Sequence, residues 1–209
     1  ASSKRSSKPS EMGLFDRLRR LFGSQAAADA TRAADPDDLF QLTAASVTME
    51  VDLDYEPGET AGLVFSAIDS TDFRSALRDV AAVLEGDGWS SVHEDDHGST
   101  WAVATRDGFE ELIADLYVAA DTLEDRGYGN RLLAAVFHFE PVDGGTDVYW
   151  VYSFRRGSFY PFAPVGTSKR EDSLEVKLQS VMDDELDVEG DSAYWYPLWP
   201  DRAGAHPWD

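Results

Sequence analysis

The sequence predicts an α+β domain, with helices packed beside a mainly antiparallel sheet. Three observations carry this. Leu132 to Glu140 and Thr146 to Phe154 are strand-like runs joined across Asp143-Gly144-Gly145, a strong hairpin signal. Trp89 to His93 and Thr100 to Thr105 form a second such pair around Glu94-Asp95-Asp96-His97-Gly98. The segments between the pairs place apolar residues at helical spacing. Strands that arrive as hairpins disfavour a doubly wound parallel sheet. The expected order α-β-β-α-β-β-α-β-β-α sets the helices beside an antiparallel one.

Residues 1–11 form a Ser/Lys/Arg-rich leader with nothing to bury, expected to be disordered. Residues 12–23 read as a basic amphipathic helix. Leu14, Phe15, Leu18, Leu21 and Phe22 share one stripe, and Asp16, Arg17, Arg19 and Arg20 take the other side. Such a helix suits a membrane surface, a partner's groove or its own domain, and the sequence leaves all three open. Its periodic part, Gly13 to Phe22, is ten residues, shorter than the ~12–15 at which an isolated helix becomes marginal in water, so it should fold only when docked. Its five large apolar side chains set a ceiling of roughly 7–15 kcal/mol on that docking. Ordering entropy removes much of it, so attachment should be reversible. Residues 24–36 are rich in Ala and Asp and form a tether.

A single domain is expected over residues 37–200, followed by a tail, 201–209. Asp35 is placed as an N-cap and Pro36 at the first position of a short helix, Asp37 to Leu42. Val47, Met49, Val51, Leu53 and Tyr55 alternate with polar residues, the pattern of a half-buried strand. Pro57-Gly58 then reads as a turn, and Leu63 to Ile68 as a second strand. Phe73, Leu77, Val80, Ala81 and Leu84 mark a helix from near Thr71 to Gly86. The longest helix carries Phe109, Leu112, Ile113, Leu116, Ala120 and Leu123, and Gly127 and Gly129 stop it. Leu174, Val176, Leu178, Val181, Met182 and Leu186 define the last one. Tyr194-Trp195-Tyr196-Pro197-Leu198-Trp199 is too aromatic to stand free and should pack back on the domain.

The chain concentrates its aromatic surface between Tyr149 and Pro164. Tyr149 to Phe154 alternates as a strand covered on both faces. Arg155-Arg156-Gly157 breaks that pattern. Phe159-Tyr160-Pro161-Phe162-Ala163-Pro164 then reads as a stiff extended loop, because the two prolines forbid helix. Two readings stand. The rings plug the core, as their area favours. Or Phe159, Tyr160 and Phe162 form a rigid partner-binding edge, with Arg155 or Arg156 as the polar clamp on an acidic segment.

Arg156-Gly157-Ser158-Phe159-Tyr160-Pro161-Phe162-Ala163-Pro164 resembles the signature of the PspA-associated PspAB family of actinobacteria and haloarchaea. Further similar points follow in the same order. They are Met12-Gly13-Leu14-Phe15-Asp16, Asp38-Leu39-Phe40-Gln41-Leu42, Gly98-Ser99-Thr100-Trp101 and Thr122-Leu123-Glu124-Asp125-Arg126-Gly127-Tyr128-Gly129. Asp172-Ser173-Leu174-Glu175 and the closing Tyr194 to Trp199 complete them. The likeness covers about residues 12 to 200. Met12 is read as the start of the family-like chain, with Ala1 to Glu11 as an extension. The resemblance implies an accessory protein of a phage-shock-type membrane-stress response. Its implied partners are the PspA coat protein and the membrane protease HtpX. It brings no catalytic residues across. Separately, the element order is similar to the secretion-chaperone-like fold.

The net charge of −22 comes from 40 acidic and 18 basic residues. Phosphate contacts need Lys and Arg, so nucleic acid is not an expected partner. The excess acid, spread over an ordinary globular pattern, looks like that of a salt-loving archaeon. In molar salt the Debye length is ~3 Å, and long-range steering is nearly absent. Residues 1–23 are the exception, with six basic against two acidic side chains. Cysteine is absent, which excludes disulfides and thiolate catalysis. The longest apolar runs, such as Leu132 to Phe137, are too short to span a bilayer. The expected location is the cytoplasm, with peripheral contact at the inner membrane face.

Signs of catalysis are sparse. His93 and His97 stand four apart but in a turn, with no third ligand at a known spacing, so a solvated acidic turn is expected there and no metal. His138 lies between two phenylalanines on a strand, and His206 in a proline-flanked tail. Nucleophile elbows, phosphate loops and dinucleotide fingerprints are missing. The sequence therefore points to a non-enzymatic adaptor without a cofactor. A chaperone-like peptide-binding module is the alternative, and it would expose a long apolar groove.

Overall fold

Asp35 starts the first helical segment as its sequence context predicts. In the computed structural model, which describes residue 30 and residues 32–84, 89–94, 99–166 and 168–198, its carboxylate accepts from the Asp37 N–H. Pro36 opens a 3-10 turn, Pro36–Phe40. The turn runs on into helix α1, Gln41–Leu53. This corrects the strand expected from Val47 to Tyr55.

Two periodicities overlap in that stretch, and burial shows which one won. Leu39, Leu42, Ala45, Met49 and Leu53 fall three or four apart, and all are buried. Val47 and Val51, which belong only to the alternating set, are 59% and 72% exposed. β-branched residues in a helix cost only tenths of a kcal/mol each. Burying one Leu or Met stabilises by about 1.5–3 kcal/mol, so the helical stripe prevails. Asp54 closes the helix in the left-handed region, at φ 58°, with its N–H on the Met49 carbonyl.

Pro57-Gly58 does not turn the chain either. Both lie inside one long strand, β1, Tyr55–Ser66. A register shift between Pro57 and Ala61 marks a bulge there. The ladder on the other side begins only at Thr60, so Pro57 is paired on one side. Gly58 serves close approach: a Cβ built there would lie 2.8 Å from His138 Nδ1.

The remaining elements follow the expected order. They are α2, Thr71–Leu84; β2, Trp89–Glu94; β3, Ser99–Thr105; α3, Phe109–Asp125; β4, Leu132–Pro141; and β5, Val148–Ser153. The loop expected over Phe159 to Pro164 is instead largely strand β6, Ser158–Phe162. A small pair, β7 at Pro164–Val165 and β8 at Lys169–Arg170, leads into α4, Asp172–Met182. The sheet runs β2-β3-β1-β4-β5-β6, antiparallel throughout.

Both faces of this sheet are apolar. Leu63, Phe65, Phe137, Phe139, Trp150, Tyr152 and Phe159 line the face that packs with helix residues such as Met49, Phe73, Leu116 and Leu178. Val64, Trp101, Val136, Tyr149, Val151, Tyr160 and Phe162 line the other, where Trp195 and Tyr196 pack. The described part of the aromatic segment, through Leu198, therefore packs back, as its composition requires.

Candidate partner-binding edge

The turn from β5 to β6 is set by one carbonyl and one glycine. Ser153 O accepts from the N–H groups of Arg156 and Gly157, at 3.0 and 2.8 Å. Gly157 has φ 63°, and a Cβ there would lie 2.8 Å from Ala33 O. Glycine is needed on both counts. Gly157→Ala is expected to lower stability by about 2 kcal/mol, from left-handed strain plus displacement of Ala33, as read by urea unfolding.

Beyond the turn, β6 sends its rings to opposite faces. Phe159 lies 4.9 Å from the Tyr152 ring on the helix-covered face. Tyr160 and Phe162 lie on the second face, where the Tyr160 hydroxyl donates to Tyr196 O at 3.1 Å. All three rings are at most 1% exposed. Burial pushes the Tyr160 hydroxyl above its ordinary pKa and Tyr196 up to about 12, so both stay protonated.

The outward edge of β6 is closed. Phe159 N–H donates to Asp187 O, and Phe159 O accepts from Glu189 N–H, a parallel bridge centred on Val188. Pro161 O accepts from Arg170 at 3.2 Å. Its nitrogen therefore also faces away from β5, where a missing donor costs nothing. Ala163 N–H donates to Glu175 Oε1 at 2.8 Å, and its carbonyl accepts from Glu171 N–H. Every second residue from 159 to 163 thus meets a partner from residues 170–189. This is how an edge is protected against adding a foreign strand.

Two arginine–glutamate pairs hold that cover. Arg156 is buried, with Nε 2.7 Å from Glu189 Oε2 and its guanidinium 3.8 Å over the Tyr194 ring. Arg170 contacts both Glu175 oxygens, at 2.9 and 3.0 Å, and donates to Trp195 O at 2.5 Å. Burial raises the Glu175 carboxyl above the usual range, outweighing the hydrogen bonds from Arg170 and Ala163. Arg155 differs. It donates to Asn130 O at 2.9 Å, and burial, with Arg131 nearby, lowers its pKa.

The end of the tether is pinned beside this edge. The Tyr152 hydroxyl donates to Asp38 Oδ2 at 2.7 Å and accepts from the Asp35 N–H at 3.0 Å. Arg32 pairs with both Asp38 and Asp187. Gln41 and Asp187 exchange two further bonds. Sequence spacing gave no signal for Tyr152, Glu175 or Glu189, whose partners lie up to 117 residues away.

The structure thus gathers Arg156, Phe159, Tyr160 and Phe162 in the interior, the arrangement of the plug. Arg155 is left on the half-exposed rim. Leu14, Phe15, Leu18, Leu21 and Phe22 lie outside the described residues, as do His97 and His206. His138 stacks on Tyr149 at 4.9 Å, with Asp147 and Glu140 carboxylates at 3.5 and 3.7 Å. Among the described residues no cluster of three or more His, Asp or Glu has the geometry of a metal site.

A family model for PspA associated protein B matches residues 12–208. No curated protein matches the chain, and no solved structure does.

Proposed function

The chain belongs to the PspA-associated protein B family, and from that premise we propose a non-enzymatic adaptor of a phage-shock-type membrane-stress response. The family match carries this reading. It engages a PspA-like coat protein, an HtpX-like membrane protease, or both. The cytoplasm is its compartment, and contact with the inner membrane face is peripheral. No described helix is long and apolar enough to cross a membrane. Contact therefore falls to the basic amphipathic segment, residues 12–23, on the tether pinned at Arg32. In high salt it rests on the apolar stripe, because screening removes most of what the arginines add.

The test has two parts. Full-length protein and a version lacking residues 12–23 are used to capture purified PspA-type and HtpX-type partners at high salt. In parallel, Leu18→Asp with Leu21→Asp is sedimented with liposomes. The expected result is that wild type co-sediments or captures a partner, and that the double variant loses this with an unchanged far-UV spectrum. Wild-type protein that does neither removes the reading. The chaperone-like alternative has less support. Both sheet faces are covered, and the large exposed apolar side chains among the described residues are few, such as Phe40 in the 3-10 turn and Val47 and Val51 on α1.

A further inference from the structure

Helix α1 turns a second apolar line to solvent. Phe40, at the end of the preceding 3-10 turn, Ala44, Val47 and Val51 are all exposed, the phenylalanine at 44%. Their spacing of four, three and four residues is that of a helix–helix contact seam. The buried stripe, Leu42, Ala45, Met49 and Leu53, faces the core, so the helix is apolar on two sides. A surface helix with a single buried side has polar residues opposite it, and α1 departs from this. Every charged residue of the helix and its leading turn is acidic: Asp37, Asp38, Glu50 and Asp52. Asp37 stands three residues before Phe40 and Glu50 three after Val47, and both are exposed neighbours of the line.

Charge, pattern and reach select what covers this line. A second copy would set acidic flanks against acidic flanks, in a chain of net charge −22, and that repulsion disfavours it. Residues 12–23 are the opposite, with three arginines against one aspartate. At about 3.6 residues per turn, the apolar stripe of that segment has Arg17 on one flank and Arg19 on the other, so each flank meets carboxylates. The tether is held at Arg32, which pairs with Asp38 just ahead of α1. The ten positions from Phe22 to Arg32 span up to about 33 Å, whereas the 13 residues of α1 are about 20 Å long. The segment therefore arrives at the Phe40 end of the line and reaches all of it. So short a tether holds it at about millimolar effective concentration, where a weak contact suffices.

We propose that residues 12–23 dock within their own chain on α1, as a helix laid along Phe40, Ala44, Val47 and Val51. The regulatory consequence rests on the proposed adaptor function, in which the same segment contacts a membrane or a partner. One apolar stripe serves one surface at a time, so α1 competes with the membrane or partner for Leu14, Phe15, Leu18, Leu21 and Phe22. Docking covers these side chains in the unengaged protein, and engagement requires their release.

Cysteine is absent, so Asp16→Cys in the full 15N-labelled chain takes a single nitroxide, on the polar side of the segment. Paramagnetic broadening of amide signals then reports which residues the label approaches. Amides of residues 43–52 are expected to broaden more than those of any other described element. Leu18→Asp with Leu21→Asp should cut that broadening at least fivefold, and so should Val47→Gln with Val51→Gln. Glutamine favours helix more than valine, so the second pair should melt no lower than wild type. On vesicles of equal parts phosphatidylcholine and phosphatidylglycerol, Val47→Gln with Val51→Gln should raise co-sedimentation at least threefold, because the segment is freed. The docking is overturned if residues 43–52 show no selective broadening, or if the Val47 and Val51 substitutions leave it unchanged. Broadening seen only between labelled and unlabelled chains in a mixture assigns the line to a second copy, and also overturns it. Vesicle binding without broadening on α1 removes the docking and keeps the adaptor function. Broadening on α1 without vesicle binding or partner capture keeps the docking and removes the adaptor function.

Discussion

Phe159→Ala is expected to cost about 3–5 kcal/mol of stability, the usual range for deleting a fully buried phenylalanine. The ring is 0% exposed and packs against Tyr152. The same residue's backbone carries the parallel bridge to residues 187–189. A cavity at this point therefore loosens the helix-covered face and the cover of the sheet edge together. Val51→Ala is the control, because a side chain that is 72% exposed should change stability by no more than about 0.5 kcal/mol. Denaturant midpoints at an unchanged m-value read both. A Phe159→Ala loss below 1 kcal/mol would show that the ring is not core. The same variant, with Tyr160→Ala and Phe162→Ala, also bears on partner capture. Residues 187–196 must leave before a partner reaches these rings, so any capture defect should scale with lost stability. A variant that loses capture while keeping its stability would return the segment to the role of a binding edge.

Glu175→Ala should cost about 3 kcal/mol at neutral pH. Removing one member of a buried pair strands the other, and here it also strands the Ala163 N–H. Arg170 would lose the anchor from which it reaches Pro161 O and Trp195 O. Glu175→Gln should cost less, since an amide keeps an acceptor for both donors. The pH dependence has a definite sign. Burial raises the folded-state pKa of Glu175 above its unfolded value. Its titration therefore contributes stability that is full below the unfolded pKa, about 4.3 for a free glutamate, and is lost as pH rises through the folded value. The stability of wild type relative to Glu175→Gln should fall across that window. A difference that grows with pH would mean that the pair with Arg170 outweighs burial.

Local pattern carried much of this fold. Asp143-Gly144-Gly145 between alternating runs, the 3.6-residue spacing of Phe109 to Leu123 and the Asp35-Pro36 start each act through neighbouring residues, and each is found where expected. The errors fell where two patterns shared residues. Met49 and Leu53 fit both a strand and a helix, and only the company of Leu39, Leu42 and Ala45 in one core separated the two. Pro57-Gly58 has the composition of a turn, yet Gly58 is required by the approach of His138 from a strand 80 residues later. Phe159 to Pro164 read as an extended loop because its two prolines forbid helix. Pro161 is tolerated because its nitrogen faces the edge.

The sequence by itself determined the fold class, the family and the packing of Trp195 and Tyr196 onto the sheet. Those depend on short-range periodicity, turn chemistry and the area of rings that water will not cover. Only the tertiary structure decided which arginine is which. Arg155 and Arg156 are adjacent and chemically identical, and what distinguishes them is Glu189, 33 residues beyond Arg156, and Asn130, 25 residues before Arg155. Charge pairing acts over a few ångströms in space and leaves no spacing in the chain. One guanidinium became part of the interior, and the other was left on the half-exposed rim.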